Sequence, residues 1–180
     1  GNPVGEMLIE ALSYFANTGK SEYNNVQAVT IDTALGLPAP AWQDPLDDLL
    51  DVSGAGNLKR GEVYGKSICR PMSTLAISSS AVSFDRDEVA KFDSAMPNRG
   101  GDTLATFTDK VGVREGIADS VRSVASVTGD WGQDCTSKTV THLWEVSGIC
   151  PEAPATKGSF LSAGAALYGN TRAIRTTEGA

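Results

Sequence analysis

From Val140 to Val146 the chain alternates. Val140, His142, Trp144 and Val146 fall on one side of an extended run, and Thr139, Thr141, Glu145 and Ser147 fall on the other, with Leu143 out of step. A period of two, carried by β-branched and aromatic residues, predicts a half-buried central strand over Thr136 to Ser147. Val26 to Ile31, Glu62 to Cys69, Thr74 to Phe84, Thr103 to Thr108 and Arg172 to Arg175 also read as extended. Arg70-Pro71 separates the second of these from the third, because proline donates no ladder hydrogen bond.

Between these runs the period changes to that of a helix. Val4, Leu8, Ala11, Leu12 and Phe15 form one stripe, with Asn2 as cap, Pro3 in the first turn and Asn17-Thr18-Gly19 as the stop. Asp44-Pro45 opens a second helix, whose buried edge is Leu46, Leu49 and Leu50 and which closes at Gly54, with Trp42 across its entry. Asp85 and Glu88 have capping-box spacing ahead of Val89, Phe92 and Met96, and Pro97 forbids continuation. A further helix is expected from Arg114 to Val127, closed by Gly129, although its valines weaken the propensity. Phe160 to Tyr168 is expected to be a small-residue helix after a linker from Pro151 to Gly158, and residues 176–180 to fray.

Alternating strands interleaved with amphipathic helices predict an α+β fold, with helices packed on one face of a mostly antiparallel sheet. The connector from Gly36 to Pro40 is too short to divide the chain, so residues 1–180 read as a single globular domain. At 180 residues and 41% hydrophobic content the chain can build a core without staples.

The formal net charge of -7 argues against nucleic acid, whose phosphates need clustered lysine and arginine. That charge is laid down unevenly. Asp44, Asp47, Asp48 and Asp51 occupy one helical face in a stretch without cations, and Lys59, Arg60, Lys66 and Arg70 follow almost unopposed. Acids in a first helical turn favour the helix dipole, which accounts for Asp44, Asp47 and Asp48 but not for Asp51. No apolar run approaches the roughly 18 residues of a membrane span, and the amino terminus lacks the form of a signal peptide.

The chain has three cysteines, Cys69, Cys135 and Cys150, and one histidine. A disulfide between Cys135 and Cys150 requires their Cα atoms within roughly 7 Å, whereas an extended run of that length spans about 50 Å. Two readings remain: one long strand with the cysteines apart, or a hairpin with a poor turn and a disulfide. Three cysteines fit either a reduced compartment or a single bridge with a free thiol, and an extracellular or surface location is slightly favoured.

Candidate chemistry is thin. Thr18-Gly19-Lys20-Ser21 lacks the earlier glycine and the preceding strand of a phosphate loop. The run from Gly54 to Gly61 serves as a turn after a helix and needs no anion. Any catalytic dyad must use His142, and in a strand Cys135 lies about 23 Å from it on the opposite face. No motif calls for a cofactor or a metal.

The sequence therefore favours a non-enzymatic structural subunit or protein-binding module. It would associate with protein partners, or with itself, through Asp44, Asp47, Asp48 and Asp51 and through Lys59, Arg60, Lys66 and Arg70. An amino-terminal amphipathic helix, a sheet and late cysteines form a general plan shared by pilin-like and other surface or particle subunits. The alternative is a small hydrolase with a cysteine nucleophile and His142 as its base.

Overall fold

The computed structural model describes residues 1–18, 34–36, 72–78, 81–86, 89–130 and 132–175. The expected elements over Val26 to Ile31, Asp44 to Gly54 and Glu62 to Cys69 lie outside them. In order, the named elements are α1 (Val4–Ala16), α2 (Val89–Ala95), α3 (Leu104–Arg114), β1 (Ser120–Val124), β2 (Thr136–Val140), a 3-10 turn (Leu143–Glu145) and α4 (Leu161–Thr171). The fold is α+β, with helices packed against a two-stranded antiparallel sheet in which Ser120 pairs with Val140 and Val124 with Thr136.

α1 forms where the stripe predicted it, with Leu12 buried as expected, but the buried face is shifted. Ile9 and Leu12 are inside with Glu6 and Ser13, while Val4, Leu8 and Phe15 are only partly buried, Leu8 packing at the edge of the core. The helix packs onto α4 rather than onto a sheet: Leu12 reaches Gly169, where an added Cβ would stand 2.8 Å from Leu12 Cδ2. Asn2 does not cap α1. Its backbone N–H donates to Ser83 Oγ at 2.7 Å and its amide to the Ala81 carbonyl at 3.0 Å, tying the start of the chain to residues 81–83. Asn17, at φ 52°, ends the helix in the left-handed region that asparagine tolerates.

Two expectations exchange their secondary structure. Thr103 to Thr108, predicted as strand, is the beginning of α3. Leu104, Phe107, Thr108 and Val111 have helical spacing, and the Thr103 hydroxyl accepts from the Thr106 N–H in a reciprocal capping box. Arg114 to Val127, predicted as helix, instead contains β1. α3 stops at the positive-φ Gly116 (φ 63°), and the β-branched Val121 and Val124 then pair across to β2. The predicted strand over Thr136 to Ser147 ends at Val140, just before the out-of-step Leu143 enters the 3-10 turn. Arg172 to Arg175 forms no strand: Arg175 Nε donates to the Phe15 carbonyl and Asn98 Nδ2 to that of Ala173, each at 2.7 Å.

The main core is Ile9, Leu12, Phe92, Met96, Leu104, Phe107, Leu161, Ala165 and Tyr168. A smaller core of Val124, Val140, Leu143 and Val146 lies under the sheet with Val111 packed against it, so α3 bridges the two. Contact between α3 and α4 depends on Gly164, where a Cβ would fall 2.2 Å from Thr108 Oγ1 and 2.7 Å from its backbone nitrogen. Asp85 is tied to residues far along the chain. Buried, it turns its Oδ1 to the Ser159 N–H at 2.8 Å, and burial pushes its carboxyl above the usual range. Glu88 lies outside the described residues.

Candidate functional site

α3 presents two neighbouring features to solvent. On one side Asp109 is shared: its Oδ2 meets His142 Nδ1 at 2.8 Å, and its Oδ1 accepts the Trp144 N–H at 3.2 Å. Arg86 holds the same stretch from behind, Nη2 donating to the Trp144 carbonyl at 2.8 Å and to that of Val146 at 2.9 Å. These bonds give physical cause for the end of β2, because they recruit backbone groups that a longer strand would have used in a ladder.

A histidine fixed by a carboxylate is half of a catalytic triad. The other half is not bonded here: among the described residues the imidazole's hydrogen-bond partner is Asp109, with no hydroxyl or thiol bonded to it. Cys135 and Cys150 are joined, with Cα atoms 5.9 Å apart, so neither sulfur is a nucleophilic thiolate, and Cys69 lies outside the described residues. His142 also departs from the expected apolar face, its side chain being 50% exposed.

Asp109 raises the imidazole above the usual histidine range, and Glu145 and Asp119 add to that effect. A folded-state rise favours the protonated form. The pair's contribution is therefore complete below the unfolded value and is lost as pH rises through the folded one. His142→Ala is expected to cost more stability near pH 5 than near pH 9, the difference staying below about 1 kcal/mol because solvent screens the pair. Equal losses in urea unfolding at the two pH values would contradict this.

On the other side of Asp109, α3 and α4 border an open groove of about 520 Å³, with Phe107, Val113 and Leu167 among its apolar residues and Lys110, Arg114 and Arg172 among its cations. Lys110 Nζ and Arg172 Cζ stand 5.2 Å and 5.7 Å from the Phe107 ring centroid, in cation–π range. Asp102 Oδ2 binds both, 2.6 Å from Lys110 Nζ and 3.2 Å from Arg172 Nη2. The Lys110 hydrogen bond above all holds the Asp102 carboxyl below its ordinary range. Behind the groove, Phe107 meets Phe92 and Tyr168 edge-on at 6.2 Å and 5.6 Å, and Tyr168 donates its hydroxyl hydrogen to the Pro97 carbonyl at 2.7 Å. The groove wall is thus anchored in the main core.

The charged residues singled out from the sequence, Asp44, Asp47, Asp48, Asp51, Lys59, Arg60, Lys66 and Arg70, all lie outside the described residues. Sequence reading missed the groove because its α3 wall was assigned to a strand and its Arg172 to another. The available signal was the helical spacing of Phe107, Lys110, Val113 and Arg114. Asp109 was missed because it lies 33 residues before His142.

A family model described as PilY1 homolog, second domain, matches residues 1–169. Similarity extends to a protein of Xylella fastidiosa (strain Temecula1 / ATCC 700964) described as a type IV pilus biogenesis factor PilY1 homolog, with 26% identity over 177 residues. That match covers 94% of this chain and 11% of the relative, so the chain spans about a tenth of the length of the curated protein it resembles. No solved structure matches. With a family model matching most of its length, the chain belongs to the PilY1 homolog second-domain family.

Proposed function

We propose that this member of the PilY1 homolog second-domain family is a non-catalytic, protein-binding part of type IV pilus biogenesis. The observation that carries the proposal is the family match over residues 1–169, together with similarity to a pilus biogenesis factor along almost the whole chain. Asp109 also accepts the Trp144 N–H, so its pairing with His142 has a structural task in holding this turn.

The finer part of the proposal is association through opposed charges: Asp44, Asp47, Asp48 and Asp51 of one molecule against Lys59, Arg60, Lys66 and Arg70 of another protein or of a second copy. A head-to-tail contact of that kind closes as a ring or continues as a filament. Light scattering tests it. Association is expected to weaken from low salt to ~0.15 M, where the screening length falls to about 8 Å, and to be lost in the double variant Asp47→Lys, Asp48→Lys. A monomer indifferent to salt, or an oligomer that survives the double charge reversal, would contradict association by these surfaces.

A further inference from the structure

The α3–α4 groove is a cationic feature on an acidic protein. The chain carries 22 Asp and Glu against 15 Lys and Arg, yet the residues bordering the groove include Lys110, Arg114 and Arg172 with a single acid, Asp109. Asp109 is already engaged by His142 and the Trp144 N–H. Two of the cations are also held in position. Asp102 clamps Lys110 and Arg172 over the Phe107 ring, so a ligand need not order those two side chains on binding. Between the charges stand apolar groups: Val113, 68% exposed, and Leu167, half-buried. A valine so exposed beside a fixed cation pair is a place where an apolar side chain and a carboxylate can be taken up together.

We propose that this groove docks an acidic peptide segment of a partner protein, with one large apolar side chain lying against Val113 and Leu167 and flanking carboxylates meeting Arg114, Lys110 and Arg172. Dimensions fit a short segment. From Thr106 to Arg114 the helix runs ~12 Å, the reach of about four residues of extended chain. The groove's volume of about 520 Å³ falls in the range that takes a few side chains. Charge complementarity selects the occupant: Lys110, Arg114 and Arg172 outnumber the one carboxylate, Asp102, that pairs with two of them, and Asp109 is taken up by His142, so the groove keeps an excess of positive charge that favours an acidic segment over a basic one. The inference deepens the protein-binding proposal and rests on it. The two fail separately, because salt-indifferent light scattering would remove the charged-stretch association and leave the groove measurement intact.

The test is a titration of the isotope-labelled 180-residue chain with three synthetic hexapeptides, Glu-Asp-Leu-Phe-Glu-Asp, its amide analogue Gln-Asn-Leu-Phe-Gln-Asn, and Lys-Lys-Leu-Phe-Lys-Lys. The acidic peptide is expected to bind saturably, moving amide resonances within 106–114 and 167–172, at least tenfold more tightly than the other two. The double variant Val113→Asp, Arg114→Glu is expected to weaken that binding at least tenfold while the chain stays folded, with a modest fall in thermal midpoint because it puts two acids in the last turn of α3. Thr171→Glu, on the opposite wall, is a second route to the same loss. Equal binding of the three peptides, shifts lying elsewhere or no saturable shifts, or undiminished affinity in both variants would overturn the proposal. So would groove shifts that follow protein concentration alone, which would give the groove to a second copy.

Discussion

Phe92→Ala is expected to lower the free energy of unfolding by about 3–5 kcal/mol, the usual loss for a fully buried aromatic ring. Phe92 is 0% exposed, on α2, and its ring meets Tyr168 of α4 at 5.0 Å and Phe107 of α3 at 6.2 Å, both edge-on. Three helices therefore converge on one side chain. The cavity left by alanine cannot collapse easily, since Gly164 already holds α3 and α4 at closest approach. Total stabilities run to only about 5–15 kcal/mol, so this single change would remove a large share. Phe92→Leu refills most of the volume and is expected to cost clearly less. Urea unfolding of the two variants checks both values. A loss below about 1 kcal/mol for the alanine variant would mean that the aromatic cluster does not hold the helices together.

Removing the Cys135–Cys150 bond, by reduction or by serine at both positions, is expected to cost about 3 kcal/mol, the loop-entropy value for a closed loop of ~15 residues. The bond spans a sequence separation of 15 and encloses β2, His142 and the 3-10 turn. The loss is expected to spread to the bonds at Asp109, because opening the loop frees residues 142–146 to leave α3. Urea unfolding of the oxidised and reduced chain measures the change, and identical midpoints would show that the non-covalent contacts alone fix this segment. Of the two readings that the sequence leaves open, the chain takes the reversal with the disulfide and not the one long strand with the cysteines apart. No Gly, Pro, Asn or Asp lies between Thr136 and Ser147 to mark a turn, and the chain reverses instead through a 3-10 turn that the Asp109 carboxylate and Arg86 guanidinium hold from outside the segment. Such a turn leaves no local signature.

The same distinction separates what the sequence made legible elsewhere. α1 and α2 were readable because each combines a helical stripe with a stop of its own, at Asn17 and Pro97, and α4 because of its small-residue run, although it continues through Gly169 to Thr171. α3 and β1 were exchanged because the apolar positions in Thr103 to Thr108 and Arg114 to Val127 fit both periods. The Thr103–Thr106 box and the Gly116 turn, rather than hydrophobic pattern, decide between them. The α+β class survived because it depends on the mixture of elements, whereas the groove depends on which element α3 is. Asp109, Lys110 and Arg114 had no visible role until that helix set them beside His142 and α4.

The most direct test of a binding rather than catalytic role is made in a pilus-forming bacterium that encodes this chain, by counting surface pili in three strains. One carries a flexible linker of equal length in place of the chain, the second Val113→Asp with Arg114→Glu, and the third His142→Ala. Pili are expected to be lost with the linker, strongly reduced by the groove substitutions and retained with His142→Ala. Normal piliation with the linker would contradict the proposed role in pilus biogenesis, and loss of pili with His142→Ala alone, while the groove variant stays piliated, would transfer the function to the histidine site.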